Sequence, residues 1–172
     1  MEAQVRLNLP PMQALAGSVR SLSGGEAGTR QTLRLMWNLM QPEAGFSMPV
    51  YAAARQLTAN VRQKDYMGEA RALFRFVQNN IRYIREPIEG LQTPEATLQL
   101  RAGDCDDKTI LLGALLIATG ARVKLVAGGH ARGQYSHVWL RASIRGRWVP
   151  MDPTEPHPMG WEPPLSSRLV VG

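Results

Sequence analysis

The sequence predicts an α+β fold in which a buried helix packs on an antiparallel sheet, and three observations predict it. Residues 106–119, DDKTILLGALLIAT, distribute Ile110, Leu111, Leu112, Leu115, Leu116 and Ile117 around the whole circumference of a helix that Gly120 stops. A helix apolar on every side belongs in a core. Three strand-like runs follow: ARVKLVA from Ala121, SHVWLRASI from Ser136 and RWVPM ending at Met151. The connections between them are too short for helical crossovers, so the strands form a meander rather than a parallel sheet.

The elements upstream are read in chain order. The first 30 residues pass through Pro10, Pro11 and the SLSGGEAGT segment, a Gly/Ser composition that reads as an arm or irregular strand pair. From Arg30 to Met40 the periodicity does not arbitrate: Leu33, Trp37 and Met40 suit a helix, while Leu35 and Leu39 also fit an alternating strand. A helix from Met48 to about Val61 is expected, with Pro49 in its first turn and Ala53, Leu57 and Val61 repeating every four residues. Asp65 is the expected N-cap of a further helix whose Ala70, Leu73, Phe74, Val77 and Ile81 form one apolar face. IRYIREP then reads as an extended exit, because Pro87 disfavours helical geometry at Glu86, and residues 89–98 as a loop leading into a short helical turn. The domain plan is an extension over 1–45, a catalytic-type domain over 46–160 and an irregular C-terminal strap over 161–172.

Composition narrows the function classes. The chain of 172 residues, 44% of them hydrophobic, suits one compact domain. The formal charge of +6 is carried mostly by scattered arginines without aromatic interleaving, so no specific nucleic-acid binding is expected. No stretch reaches the roughly 18 consecutive apolar residues of a membrane span, and MEAQVRLNLP does not read as an export signal. One cysteine makes no internal disulfide, which fits a reducing compartment and leaves the thiol for chemistry.

That thiol, Cys105 in RAGDCDDKT, follows the capping-type Asp104 and stands at the start of the core helix. The macrodipole and free N–H groups there favour a thiolate and can also donate to an oxyanion. Against this, Asp104, Asp106 and Asp107 flank the thiol, and carboxylates aimed at it raise its pKa, so they must point away or be neutralised. Asp106 and Asp107 read as first-turn acids rather than ligands of a divalent metal, and no cofactor is expected. Of the three histidines, His137 opens a strand and is placed rigidly enough to act as a base, whereas His130 lies in a glycine-rich loop and His157 between two prolines. Asp152, at the end of RWVPM, can accept the second imidazole N–H and fix the tautomer of His137. Trp139 and Trp148 read as core or site-wall aromatics.

The blocks RAGDCDDKT, SHVWL and RWVPMDPT resemble the three signature blocks of the transglutaminase-like superfamily, whose cysteine, histidine and aspartate match Cys105, His137 and Asp152. The resemblance spans about residues 65–155 and implies a papain-like core with a helix-borne nucleophile. It also implies hydrolysis or exchange of amide bonds in a protein or peptide through a thioester. The family often completes the oxyanion hole with a side chain upstream of the cysteine; Gln92 is the candidate here, with Tyr83 behind it. Small proteins of tailed phages and prophages carry similar blocks. Because the 1–30 arm reads as too polar and glycine-rich to order itself, the alternative expectation is a component of a larger assembly such as a phage particle, with a vestigial or single-use triad and with residues 1–30 meeting other proteins. The expected location is the cytoplasm or a phage particle.

Overall fold

A computed structural model describes residues 5–9, 25–41, 47–85, 90–131 and 133–172. Among these the helices are α1 (Gly25–Met40), α2 (Met48–Thr58), α3 (Tyr66–Asn80), α4 (Pro94–Leu100) and α5 (Cys105–Ala118). The strands are β1 (Arg82–Tyr83), β2 (Ala102–Gly103), β3 (Arg122–Gly129), β4 (His137–Ile144), β5 (Arg147–Met151) and β6 (Ser167–Val171). The expectations at Pro10, Pro11 and the SLSG run, and at Glu86 and Pro87, lie outside the described residues.

Local chemistry sets the helix starts. Ser47, Asp65 and Thr93 cap α2, α3 and α4, each accepting a backbone N–H three residues on, and Pro49 and Pro94 occupy first turns where a missing N–H costs nothing. The second helix stops at Thr58 instead of reaching Val61, whose N–H closes a turn on the Thr58 carbonyl at 3.0 Å. The extended exit after α3 is β1, which pairs in parallel with β2, the two residues ahead of the α5 cap.

The central helix is enclosed as its composition requires. Helices α1 to α4 contact α5 on one side, and β3 and β4 contact it on the other. Val123, Leu125 and Ala127 of β3 and Val138, Leu140 and Ala142 of β4 share one cluster with Ile110, Leu111, Leu112 and Leu115, all buried. The sheet runs β5-β4-β3-β6 with every neighbour antiparallel, which is the expected meander plus one strand.

Packing decides the undecided run at 30–40 and revises several expectations. The ambiguous run at 30–40 is helical, and the helix begins at Gly25, inside the stretch read as irregular. Its Leu33, Met36 and Met40 are buried, so part of the proposed 1–45 extension belongs to the core. Gly113 explains the close approach of α1 to α5, since a Cβ there would run into Met40 Sδ. The tail is only partly an irregular strap: Ser167–Val171 adds a strand to the open edge of β3, in register from Gly129↔Ser167 to Leu125↔Val171. That edge would otherwise leave backbone N–H and C=O groups without partners. Trp148, read as a core or site-wall residue, is 39% exposed, with Lys124 Nζ 4.6 Å from its ring centre.

The irregular part of the tail covers the sheet face opposite α5. Glu162 accepts from Trp139 Nε1 at 2.9 Å and from Arg141 Nε and Nη2 at 2.7 and 2.9 Å, so the buried indole N–H and the guanidinium share one carboxylate. At the other terminus, residues 5–9 fold back on their own domain. The Val5 N–H donates to Asn80 Oδ1 at 3.0 Å, and Asn8 exchanges hydrogen bonds with the Gln56 carboxamide.

At the end of β3 the backbone comes close enough to the following hairpin that Gly129 has no room for a Cβ, which would collide with the Gln134 carbonyl oxygen. Backbone cannot rotate aside as a side chain does. Gly129→Ala should therefore lower stability by roughly 1–3 kcal/mol, read as a lower urea midpoint. An unchanged midpoint would mean that the hairpin yields freely.

Candidate active site

The start of α5 is built by a reciprocal cap. Asp104 Oδ1 accepts from the N–H groups of Asp106 and Asp107 at 2.9 and 3.2 Å, while Asp107 Oδ2 accepts from the Asp104 N–H at 3.2 Å. Asp107 Oδ1 also accepts from the Gln92 N–H at 2.8 Å, drawing the preceding loop onto the helix start. The three acids flanking the thiol thus have different tasks. Asp107 is buried and turned into the cap, and Asp104 holds the first turn. Asp106 instead accepts from the Cys105 thiol, Sγ to Oδ1 at 3.5 Å.

Burial pushes the Cys105 thiol above its ordinary value, and the charges of Asp106 and then Asp104 push it further; a backbone hydrogen bond from Val138 opposes them. Only part of the expected condition is therefore met, because one carboxylate still faces the sulfur. Asp104, Cys105 and Asp106 also bring ligand-type atoms within 4.8 Å of one another, but the Asp104 carboxylate is already engaged by two amides.

The sheet register supplies the second half of the site. Leu140 pairs with Met151, which sets Asp152 opposite Trp139 and diagonal to His137 on the same face. His137 Nε2 and Asp152 Oδ2 are 2.6 Å apart, with side chains 17% and 1% exposed. The other Asp152 oxygen accepts from the N–H groups of Thr154 and Glu155 at 3.0 and 3.3 Å, so the carboxylate is fixed at both ends. Burial by itself would lower the imidazole pKa, but the Asp152 hydrogen bond and charge, with Glu155 and Asp106 adding to them, hold it above the ordinary value. The ring also stacks on Trp139, centroids 5.9 Å apart at 25°. With Nε2 directed to Asp152, Nδ1 is the ring nitrogen left for proton exchange.

Cys105 and His137 line one cavity of about 390 Å³. Its wall includes Gly28, Thr29 and Thr32 of α1, Leu91, and Tyr135 from the hairpin before β4. The α1 wall was missed in the sequence because that segment was assigned to the extension; the small residues GxxGTxxT were its only visible signal. Neither oxyanion candidate is among the residues lining the cavity. Tyr83 is 47% exposed on β1, and the Gln92 carboxamide oxygen accepts from the Thr97 hydroxyl at 3.2 Å. His130 is exposed beside a separate cleft, and His157 stacks on Trp161 with centroids 3.9 Å apart.

A family model for the transglutaminase-like superfamily matches residues 51–153, more than half of the chain, and takes in Cys105, His137 and Asp152. The chain belongs to the transglutaminase-like superfamily. Solved structures of similar fold include a candidate cysteine protease from Cytophaga hutchinsonii, 18% identical with a TM-score of 0.56, covering 80% of this chain and 51% of that one. Another is a candidate protease from Parabacteroides distasonis, 15% identical with a TM-score of 0.54, covering 74% of this chain and 26% of that one. Legionella pneumophila LapG, in EGTA-treated form, is 19% identical with a TM-score of 0.50, covering 74% of each chain. This transglutaminase-like chain thus spans about half of the Cytophaga chain and a quarter of the Parabacteroides chain. At these identities the likeness is one of fold. No curated protein matches the sequence. Among the described residues, no helix is long and apolar enough to cross a membrane.

Proposed function

We propose that this transglutaminase-like chain is a cysteine-dependent amide-bond hydrolase or acyltransferase acting on a protein or peptide. The observation that carries the reading is the His137–Asp152 pair, 2.6 Å apart with its carboxylate buried, beside a cavity that also holds the helix-start thiol of Cys105. His137 Nδ1 takes the thiol proton, and the sulfur attacks the substrate carbonyl carbon while the Cys105 N–H, ahead of the amides that Asp104 caps, receives the oxyanion. The imidazolium returns its proton to the leaving amine as the C–N bond breaks, leaving a thioester on Cys105. Water then releases an acid, or a second amine releases an exchanged amide. Asp152 keeps the tautomer and stabilises the imidazolium.

Hydrolysis is the favoured branch, since water reaches an open cavity without a dedicated acceptor site. The alternative of an assembly component, including a phage particle, rested on an arm in need of a partner. The hydrogen bonds that hold residues 5–9 on their own domain remove that motive for the described part of the arm.

Intact-protein mass spectrometry after incubation with a lysate and rapid acid quench tests the proposal. An acyl adduct on Cys105 is expected, lost on treatment with hydroxylamine and absent from the Cys105→Ala variant. No adduct at any quench time, together with alkylation of Cys105 that ignores removal of His137, would sink the enzymatic reading.

A further inference from the structure

We propose that Gln78 is a positioning residue for the Asp152–His137 pair, pinning the turn that carries Asp152 to the same helix end that anchors the Cys105 helix. This rests on the catalytic reading above. Gln78 lies in the last turn of α3, and its Nε2 donates to the carbonyls of Glu155 at 2.7 Å and His157 at 2.8 Å. A carboxamide nitrogen has two hydrogens, so both are used on one short loop. The Glu155 residue held in this way also gives its own N–H to Asp152 Oδ1. Its peptide groups therefore link Gln78 to the carboxylate that orients His137.

The other side of Gln78 faces α5. Lys108, one turn after Cys105 and 2% exposed, donates from Nζ to the Ile81 carbonyl at 2.9 Å and to the Gln78 carbonyl at 3.4 Å. These are C-terminal carbonyls of α3, which have no partner within the helix and attract a cation. The side chain of Gln78 thus holds the base-orienting turn, while its main chain holds the helix that carries the thiol. Residues 152–160 form no helix or strand; the His157 N–H to the Glu155 carbonyl and the Gly160 N–H to the Pro150 carbonyl, both at 2.8 Å, close the loop on itself and on β5, and Gln78 ties it to α3. A carboxylate displaced by a fraction of an ångström no longer holds the imidazole in register.

Because the chain has a single cysteine, iodoacetamide reads Cys105 alone. Gln78→Met keeps the length and helix propensity but removes both donors. It should slow alkylation near neutral pH about fivefold and shift the midpoint of the rate–pH profile towards that of Asp152→Ala. Combined with Asp152→Ala it should have no further effect, because the group it positions is gone. Gln78→Asn, which retracts the carboxamide by one methylene, should behave like Gln78→Met and covers the case in which the methionine perturbs the fold. An equal effect of Gln78→Met with and without Asp152 would overturn the proposal, as would a wild-type rate in both Gln78 variants while Asp152→Ala remains slow. If Asp152→Ala itself alkylates at the wild-type rate, the catalytic reading falls as well.

Discussion

Asp106→Asn and His137→Ala should move the alkylation rate of Cys105 near neutral pH in opposite directions, each by about tenfold. The Asp106 carboxylate accepts from the thiol at 3.5 Å and, after burial, is the main influence raising its pKa. Two charges at that separation interact by about 5 kcal/mol at an effective dielectric near 20, and partial exposure of Asp106 reduces this to roughly 3 kcal/mol. Removing it enriches the thiolate about a hundredfold. A less basic thiolate is a poorer nucleophile, and a Brønsted slope near 0.5 returns about half of that gain on the logarithmic scale. The net expectation for Asp106→Asn is about tenfold faster. His137→Ala removes the group that accepts the thiol proton in the proposed mechanism, and the expected rate is about tenfold slower. Equal rates in wild type and His137→Ala would leave the cysteine structural. A slower Asp106→Asn variant would show that this carboxylate assists the thiol instead of suppressing it.

The opposition has a mechanistic meaning. A resting thiol hydrogen-bonded to Asp106 is protected from adventitious oxidation and alkylation, since the thiolate is the reactive form. In the proposed mechanism, the raised pKa of His137 would keep a proton available for the leaving amine, while its Nδ1 would have to be neutral to begin the reaction. A bound substrate that displaces the Asp106 carboxylate from the sulfur would release both constraints together. The rate of Asp106→Asn with iodoacetamide measures how much that displacement is worth.

How much of this was legible in the sequence depends on whether a feature is local. The enclosed helix could be read because its apolar residues run all round and Asp104 stands where a cap is needed, and the meander because alternation and short connections leave no other pairing. The pairing of His137 with Asp152 followed from two strand ends on neighbouring antiparallel strands. The α1 helix was ambiguous because its decisive contact is Met40 over Gly113, far along the chain, and the pattern of Leu33, Leu35 and Leu39 alone serves either period. The same holds for β6, whose short run acquires its role only from the open edge of β3. Gln92 and Tyr83 were named for an oxyanion role from the resemblance and not from a local signal, and neither lines the cavity. Asp106 and Asp107 are adjacent and chemically identical, yet only the folded cap turns one away from the sulfur and leaves the other against it.

Stability above neutral pH should show two opposed groups, one buried and one part-buried. Burial lowers Lys108 from its ordinary 10.5 to about 8, with the charge of Asp152 partly resisting, whereas Cys105 is held above its ordinary 9.0. Below about pH 8 the lysine is charged in both states, and the cost of burying that charge is present in full. From about 8 to 10.5 the folded lysine has lost its proton while the unfolded one keeps it, so stability rises with pH, by up to about 3 kcal/mol over the window. The cysteine has the reverse sign: above about pH 9 the unfolded thiol ionises first, the folded state binds more protons, and stability falls. The wild-type urea midpoint should therefore climb from pH 8 to 9 and flatten beyond it. Cys105→Ala should let the climb continue towards 10.5, and Lys108→Met should abolish it and leave only the decline. Differences between variants in the same buffers remove the titration of groups they share. Parallel curves for wild type and Cys105→Ala would mean that the thiol titrates alike in both states, and a climb that persists in Lys108→Met would assign it to another group. The two variants together separate the cost of burying the ammonium that ties α5 to α3 from the protection of the thiol at the start of α5.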